Sequence, residues 1–564
     1  MRSPIRRFLI ATTAAALTLA ASVLAFSQAG AAPKRPHFIE IGARSTFSYT
    51  SRNSYSEGSR KYFPQPMCGG VAIFDYDNDG KMDIFFTNGA KMPEMKRVDA
   101  SFYNCLLRNK GDGTFEDVTA KAGLLGADTD FAFGVAAGDY DNDGYQDLFL
   151  CFAGKNHLYH NNGNGTFTDV TDAAGIGGKP DKTLSVVGAW FDYDNDGLLD
   201  LVVSNYTFWT PETDIRCSMG EREFYCDPRR YTSVPHRLYH NLGNGKFADV
   251  TDVSGFKEAP GKGMGISIAD FNGDGLLDVF VANDTDPNSL FMNKGRGKFE
   301  EEGLRMGVAY DDNAAAVSSM GCDAKDFDND GKIDIFYNNL MGQIWALFRN
   351  VGDSFRYFSP ATKLRRLSAT YSGWSNGFID YNNDGWKDIY SSNGDVDYVA
   401  STAKQHDTLF ENIDGKQFVD VSEQLGADFL HVGFQRGSAF GDLNNDGSPD
   451  LVVTSLNERP RIMLNSADSG NHWLVLALTG TYSCRDAIGA RIKLTTASGR
   501  VLYSHVAISV GFMSSSDKRV HFGLGAETQV REIEIRWPRG PVQKLENVKA
   551  DQFLAVKEPP PAGK

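Results

Sequence analysis

The nine residues from Asp75, "DYDNDGKMD", put carboxylates at positions 1, 3, 5 and 9, on Asp75, Asp77, Asp79 and Asp83, with a glycine at position 6. Four like charges this close repel one another unless an opposite charge sits among them. Oxygens at alternating positions, a glycine for the sharp turn and a main-chain carbonyl at position 7, here that of Lys81, form the first half of a calcium loop. Hard divalent cations of that size take six to eight oxygens and tolerate irregular geometry. The chemistry on offer is cation binding, used either to hold the chain or to polarise a substrate.

The pattern recurs from Asp139, Asp192, Asp270, Asp326, Asp380 and Asp442, at intervals of 64, 53, 78, 56, 54 and 62 residues. Its further ligand sets are Asp139, Asp141, Asp143, Tyr145 and Asp147; Asp192, Asp194, Asp196, Leu198 and Asp200; and Asp270, Asn272, Asp274, Leu276 and Asp278. The last three are Asp326, Asp328, Asp330, Lys332 and Asp334; Asp380, Asn382, Asp384, Trp386 and Asp388; and Asp442, Asn444, Asp446, Ser448 and Asp450. Position 7 contributes its carbonyl in each. Loops with Asn272, Asn382 or Asn444 at position 3 lose one negative ligand and should bind more weakly. A helix-loop-helix calcium hand needs Glu at position 12, where these copies have Phe86, Leu150, Val203, Val281, Tyr337, Ser391 and Val453.

The elements that must position these loops are strands. Apolar runs such as "GVAIF" and "GISIA" precede the motif and runs such as "DIFFTN" and "DLVVSN" follow it, so each loop joins two antiparallel strands. A second hairpin follows, as in "LYHNNGNGTFTDVT", with Asn and Gly in its turn. Two hairpins make a four-stranded unit of about 60 residues, and such sheets repeated around an axis form a β-propeller. The seventh unit ends after "RIMLN" without a fourth strand, while "HFIEIG" from His37 precedes the first unit. The N-terminal strand is therefore expected to complete blade seven and remove an exposed sheet edge.

These copies resemble FG-GAP/VCBS repeats of the kind found in integrin α propellers. From about Asn471 the motif stops and alternating strands take over, and "RDAIGARI", "HFGLG" and "IEIRWPRG" resemble the ASPIC/UnbV domain. The whole arrangement is similar to the cartilage acidic protein family. The expected fold is all-β: a seven-bladed propeller over residues 33–470, a small β-sandwich-like domain over 471–557 and a flexible tail over 558–564.

Residues 1–32 have a basic start, an apolar alanine-rich run from Phe8 to Phe26 and small residues near Ala32, the pattern of a cleaved secretory signal. The expected location is secreted, periplasmic or cell-surface, with no membrane span in the mature chain. Removing Arg2, Arg6 and Arg7 takes the net charge from −15 to −18, which argues against a nucleic-acid partner. Up to seven structural Ca2+ ions would offset most of that acidity. Of seven cysteines, Cys217 and Cys226 are the expected disulfide, leaving Cys68, Cys105, Cys151, Cys322 and Cys484 unassigned.

Seven nearly uniform ligand sets suggest structure rather than catalysis, and the chain has no HExxH signature and no GxSxG nucleophile context. With the loops on one face, recognition falls to the other. There the roughly 30-residue insertion in blade three carries Trp209, Tyr225, Arg229, Arg230 and Tyr231, suited to an extracellular protein or glycan, or alternatively to closing the central channel. The sequence favours a binding or adhesion module over its alternatives, a polysaccharide lyase or hydrolase on the same scaffold, or a periplasmic assembly scaffold.

Overall fold

The computed structural model describes residues 35–127, 129–178, 182–397 and 402–561; the expected signal segment lies outside them. Residues up to 465 form seven four-stranded antiparallel sheets, here blades one to seven. Blade one is Val71–Phe74, Asp83–Phe86, Cys105–Asn109 and Phe115–Asp117. Blade seven is Gln435–Gly441, Asp450–Ser455, Arg461–Asn465 and, from the far end of the chain, Phe38–Glu40, which pairs antiparallel with Phe38 opposite Asn465.

The first strands of successive blades touch in cyclic order, with blade seven against blade one. Because they converge on the axis, they are fully buried and rich in small residues, as in Ala132–Gly138, "AFGVAAG". Farther out, the aromatic at position 2 of loops one to five packs on a phenylalanine in the next blade's last strand. Tyr140 lies 5.6 Å from Phe247 and Phe271 lies 5.8 Å from Phe355 between ring centres. This explains why the motif begins Asp-Tyr or Asp-Phe in six of its copies and why the turn sequence ends in Phe.

The C-terminal domain has two sheets. One joins His472–Thr479 to Val520–Gly525 and, in parallel, to Gln552–Lys557; the other contains Val501–His505, Arg491–Thr496, Gln529–Arg536 and Val542–Lys549. The fold extends past 557. Glu558, placed in the tail by the sequence reading, is buried, and its carboxylate accepts the N–H groups of Thr481, Tyr482 and Ser483 at 2.8, 2.8 and 2.9 Å.

Between its sheets this domain sends residues 506–519 into the mouth of the propeller. Ser515 exchanges main-chain bonds with blade one, Val135 of blade two donates to Met513, Gly511 bonds to Cys322 of blade five, Phe512 to Ser375 of blade six and Asp517 to Phe440 of blade seven. Glycines admit it: a Cβ on Gly321 would lie 2.8 Å from the main chain of Gly511.

Candidate metal loops and the two faces

All seven loops share one hydrogen-bond plan. The position-1 carboxylate accepts the N–H groups of positions 5 and 6, as Asp139 does from Asp143 at 3.0 Å and Gly144 at 2.9 Å. The position-5 carboxylate accepts the N–H of position 7, as Asp196 does from Leu198 at 2.8 Å. The position-9 aspartates, Asp83, Asp147, Asp200, Asp278, Asp334, Asp388 and Asp450, are fully buried. Each accepts an N–H from position 2 of its own loop and another from the asparagine ending the blade's third strand; for Asp278 these come from Phe271 at 3.0 Å and Asn293 at 2.7 Å. At position 3 the substituted loops change the plan, because Asn272 and Asn444 donate to Asp274 and Asp446 at 2.9 and 2.8 Å.

The loops are linked in a ring by two sets of asparagines. Those at position 4, all in the left-handed backbone region, donate to the position-6 glycine carbonyl of the next loop. Asn78 reaches Gly144, Asn142 Gly197, Asn195 Gly275, Asn329 Gly385, Asn383 Gly447, and Asn445 returns to Gly80. Loop four has Gly273 at position 4 and therefore no such side chain. The third-strand asparagines form a complete second ring, each donating to the position-2 carbonyl of the preceding blade, from Asn161 to Tyr76 at 2.8 Å round to Asn109 to Leu443 at 2.7 Å.

The carboxylates crowd together as the sequence reading supposed. Ligand atoms of Asp75, Asp77 and Asp83 lie within 4.8 Å of one another, as do those of Asp139, Asp141 and Asp143 and of Asp192, Asp194 and Asp196, a spacing that can hold a metal ion. Burial, the largest cause, together with neighbouring aspartates pushes Asp139 up to about 8 and Asp192 to about 7, against an ordinary 3.8. Buried oxygens Asp77 Oδ1 and Asp328 Oδ1 have no hydrogen-bond partner. An oxygen-ligated cation would answer both features.

The loops are less uniform than their sequences suggest, because the residue preceding the third-strand asparagine faces the carboxylates. Arg108 binds Asp77 at 2.8 Å and Asp79 at 3.3 Å, and Arg349 binds Asp328 at 2.6 Å and Asp330 at 3.2 Å. In blades two and three the position is His160, 3.2 Å from Asp147, and His240, 3.1 Å from Asp200. Their fixed place one residue before the third-strand Asn of each unit is a signal the sequence carries.

The C-terminal domain covers this face. Arg485 lies 3.7 Å from Asp139, whose N–H is bound by Asp486 at 2.8 Å; Arg491 binds Asp270 at 3.2 Å; and Arg519 binds the carbonyl of Asp442 at 2.9 Å. Arg539 and Arg500 bind the carbonyls of Asp196 and Asp384. The pair Arg485 and Asp486 is therefore part of the docking contact between domains.

On the opposite face the insertion of blade three departs from its expected role. Trp209, Tyr225 and Tyr231 are only 3%, 9% and 8% exposed. Phe63 packs 4.0 Å from Tyr231, Tyr62 meets Trp209 edge-on at 6.4 Å, and the Trp209 indole donates to Asp214 at 2.8 Å. Aromatic surface on a mobile-length loop loses more free energy exposed than stacked, so the N-terminal segment and the insertion close over each other. Of the five proposed ligand contacts only Arg229 and Arg230 remain exposed. Cys217 and Cys226 are disulfide-bonded beneath them, and the other five cysteines are buried free thiols.

A repeat propeller of this kind, with its loop motif and appended β domain, defines a class. The FG-GAP-like repeat family matches residues 75–150, 139–203, 231–281, 270–323 and 326–391, and the ASPIC and UnbV family matches residues 480–562. The chain belongs to the FG-GAP-like repeat family and ends in an ASPIC/UnbV domain. It is similar to cartilage acidic protein 1 of Mus musculus, 24% identical over 85% of this chain and 71% of that protein, and of Homo sapiens, 24% identical over 88% and 72%. Among solved structures, it aligns with an Agrocybe aegerita lectin that recognises non-reducing terminal N-acetylglucosamine, at 16% identity and TM-score 0.42 over 76% of this chain and 97% of that one. It also aligns with rhamnogalacturonan lyase YesW, at 12% identity and TM-score 0.37 over 77% and 76%. No helix among the described residues is long and apolar enough to cross a membrane.

Proposed function

We propose that this chain is an exported, calcium-stabilised binding module that recognises an extracellular protein or glycan on the face opposite its metal loops. The observation that carries this reading is the difference between the faces: loops two to seven each bond to the C-terminal domain, which suits ions that serve structure. All seven carboxylate sets, Asp75 to Asp83 through Asp442 to Asp450, would hold Ca2+, the position-7 carbonyls completing each shell. Arg108 and Arg349 already supply positive charge to loops one and five and would weaken binding there, as the neutral Asn272, Asn382 and Asn444 would in loops four, six and seven.

The contact surface would be the disulfide-pinned insertion of blade three. Its hairpin, Cys217–Met219 with Arg222–Phe224, carries Met219 at 79% exposure, Phe208 is 54% exposed, and Arg229 is exposed on the same insertion. Exposed apolar and arginine side chains on a disulfide-pinned loop suit a recognition surface. The mature chain, tested on glycan and protein arrays, should give a partner whose binding falls at least tenfold in Met219→Ala with Arg229→Ala while melting stays unchanged. Partner binding indifferent to both substitutions removes this surface, and polysaccharide turnover by the pure protein replaces binding with catalysis.

A further inference from the structure

We propose that loops two and three are mixed imidazole and carboxylate sites that select a first-row transition dication over Ca2+, with His160 and His240 as their nitrogen ligands. The inference rests on the cation reading of the loops and narrows it for two of the seven. Each histidine sits one residue before the asparagine that ends its blade's third strand, His157–Asn161 or Arg237–Asn241. His160 Nδ1 lies 3.2 Å from Asp147 and 3.4 Å from Asp141, and His240 Nδ1 lies 3.1 Å from Asp200 and 3.7 Å from Asp194. Donors that share one ion through bonds of about 2.1 Å stand roughly 3.0–3.4 Å apart at right-angled or tetrahedral corners. In both loops the three donor atoms, two carboxylate oxygens and one ring nitrogen, fall within 4.8 Å of one another.

More than a crowd of acids marks these two loops. His160 Nδ1 is buried and has no hydrogen-bond partner, so a nitrogen faces the carboxylates with its bonding capacity unused. Both rings are held against the tyrosine at position 2 of their own loop, His160 6.1 Å from Tyr140 and His240 5.6 Å from Tyr193 between ring centres. The arrangement is built twice, in successive blades, while the equivalent residues elsewhere are Arg108, Met292, Arg349, Glu411 and Leu464, none of which brings a nitrogen lone pair. Calcium takes oxygen ligands, whereas neutral imidazole suits zinc, copper, iron or nickel. One nitrogen in the shell therefore moves the preference of loops two and three away from the hard ion. A protonated ring would instead stand in for a cation, as Arg108 and Arg349 do in loops one and five, and metal content separates the two cases.

Zinc chloride is the probe. The natural mature chain, dialysed against millimolar Ca2+ with micromolar Zn2+ and analysed for both metals, should retain two zinc ions per chain. His160→Gln and His240→Gln should each weaken one site at least about tenfold, the loss typical of removing a group that merely supports a ligand. Retained zinc then falls by one in each single variant and by two in the double variant, and calcium rises by the same number as it takes the vacated loops. Zinc held equally by the double variant, or only calcium held by the natural chain, overturns the proposal. If the variants do not fold, crystals of the natural protein soaked in zinc decide: anomalous peaks at the zinc edge within bonding distance of both Nδ1 atoms support it, and their absence at saturating zinc sinks it. Calcium bound without zinc fails this inference alone, and a chain that holds neither ion overturns the cation reading beneath it as well.

Discussion

The two faces of the propeller are closed by opposite kinds of chemistry. The loop face gathers buried aspartates and covers them with arginines and a polar plug, so its cohesion depends on charge being balanced. The far face is closed by Tyr62 and Phe63 stacked on Trp209 and Tyr231, with Asp214 tying the indole and the Arg60 guanidinium together at 2.8 and 3.0 Å. One face should respond to ions and pH, and the other to loss of apolar volume. A scaffold that separates these demands can be tightened by its surroundings at one end while its recognition surface stays fixed at the other.

The largest expected effect comes from removing ions. Ligands bound only by the folded state stabilise it by mass action, so chelation should lower Tm by about 10 °C or more. The comparison breaks if melting ignores chelator, or if the chelated protein loses the fluorescence environment of Trp209 before that of the loop-face Trp386. The pH response sharpens it. In the ion-free protein, Asp139 is raised to about 8 and Asp442 to about 7 from 3.8, so between those values the folded state binds more protons than the unfolded one. Stability of the chelated protein should therefore fall as pH rises from 4 to 8, with no such penalty below 4, and the Tm gap between loaded and chelated protein should widen over that window. A gap independent of pH would contradict the burial of these carboxylates.

On the far face, Trp209→Ala should cost about 3–5 kcal/mol in denaturant melts, equally with and without calcium. A cost that appears only in the chelated protein would mean the faces are coupled. The smallest effect belongs to the loop ring: Asn142→Ala, losing a 2.9 Å bond to Gly197, should cost about 1 kcal/mol. An asparagine introduced at Gly273, where the ring is interrupted, should recover a few tenths of that.

Much of the architecture was legible because it is written in repeats. The spacing of the aspartates marked the loops, the Asn-Gly turns marked the second hairpins, and the unmatched strand at His37 pointed to the incomplete seventh sheet. The misreadings have a common cause. Trp209, Tyr225 and Tyr231 look like ligand contacts in a long insertion, but their burial depends on Tyr62 and Phe63, some 150 residues away, and single-chain patterns do not report which distant loop an aromatic meets. The docking of the C-terminal domain was equally hidden. Residues 511–516, "GFMSSS", have neither strand period nor charge, and only the axis of the ring gives their Gly and Ser residues a role. The arginines at 485, 491, 500, 519 and 539 are spread through five separate stretches and converge only in three dimensions.

A column of groups runs along the propeller axis: the Pro66 carbonyl takes the Arg436 Nε–H at 2.7 Å, the guanidinium lies 3.8 Å over Trp374, and Trp374 meets Phe512 at 5.3 Å. Its two ends come from residues before the first blade and after the seventh, and Phe38 finds its partner only at Asn465. During synthesis, the early sheets must therefore wait beside an open seam and an empty axis until residues 461–465 and 511–516 have followed. Contacts of such long sequence separation make closure slow, and a chain cut short before residue 516 would leave the ring without its pin. The ring is thus pinned by residues that follow all seven of its blades in the sequence.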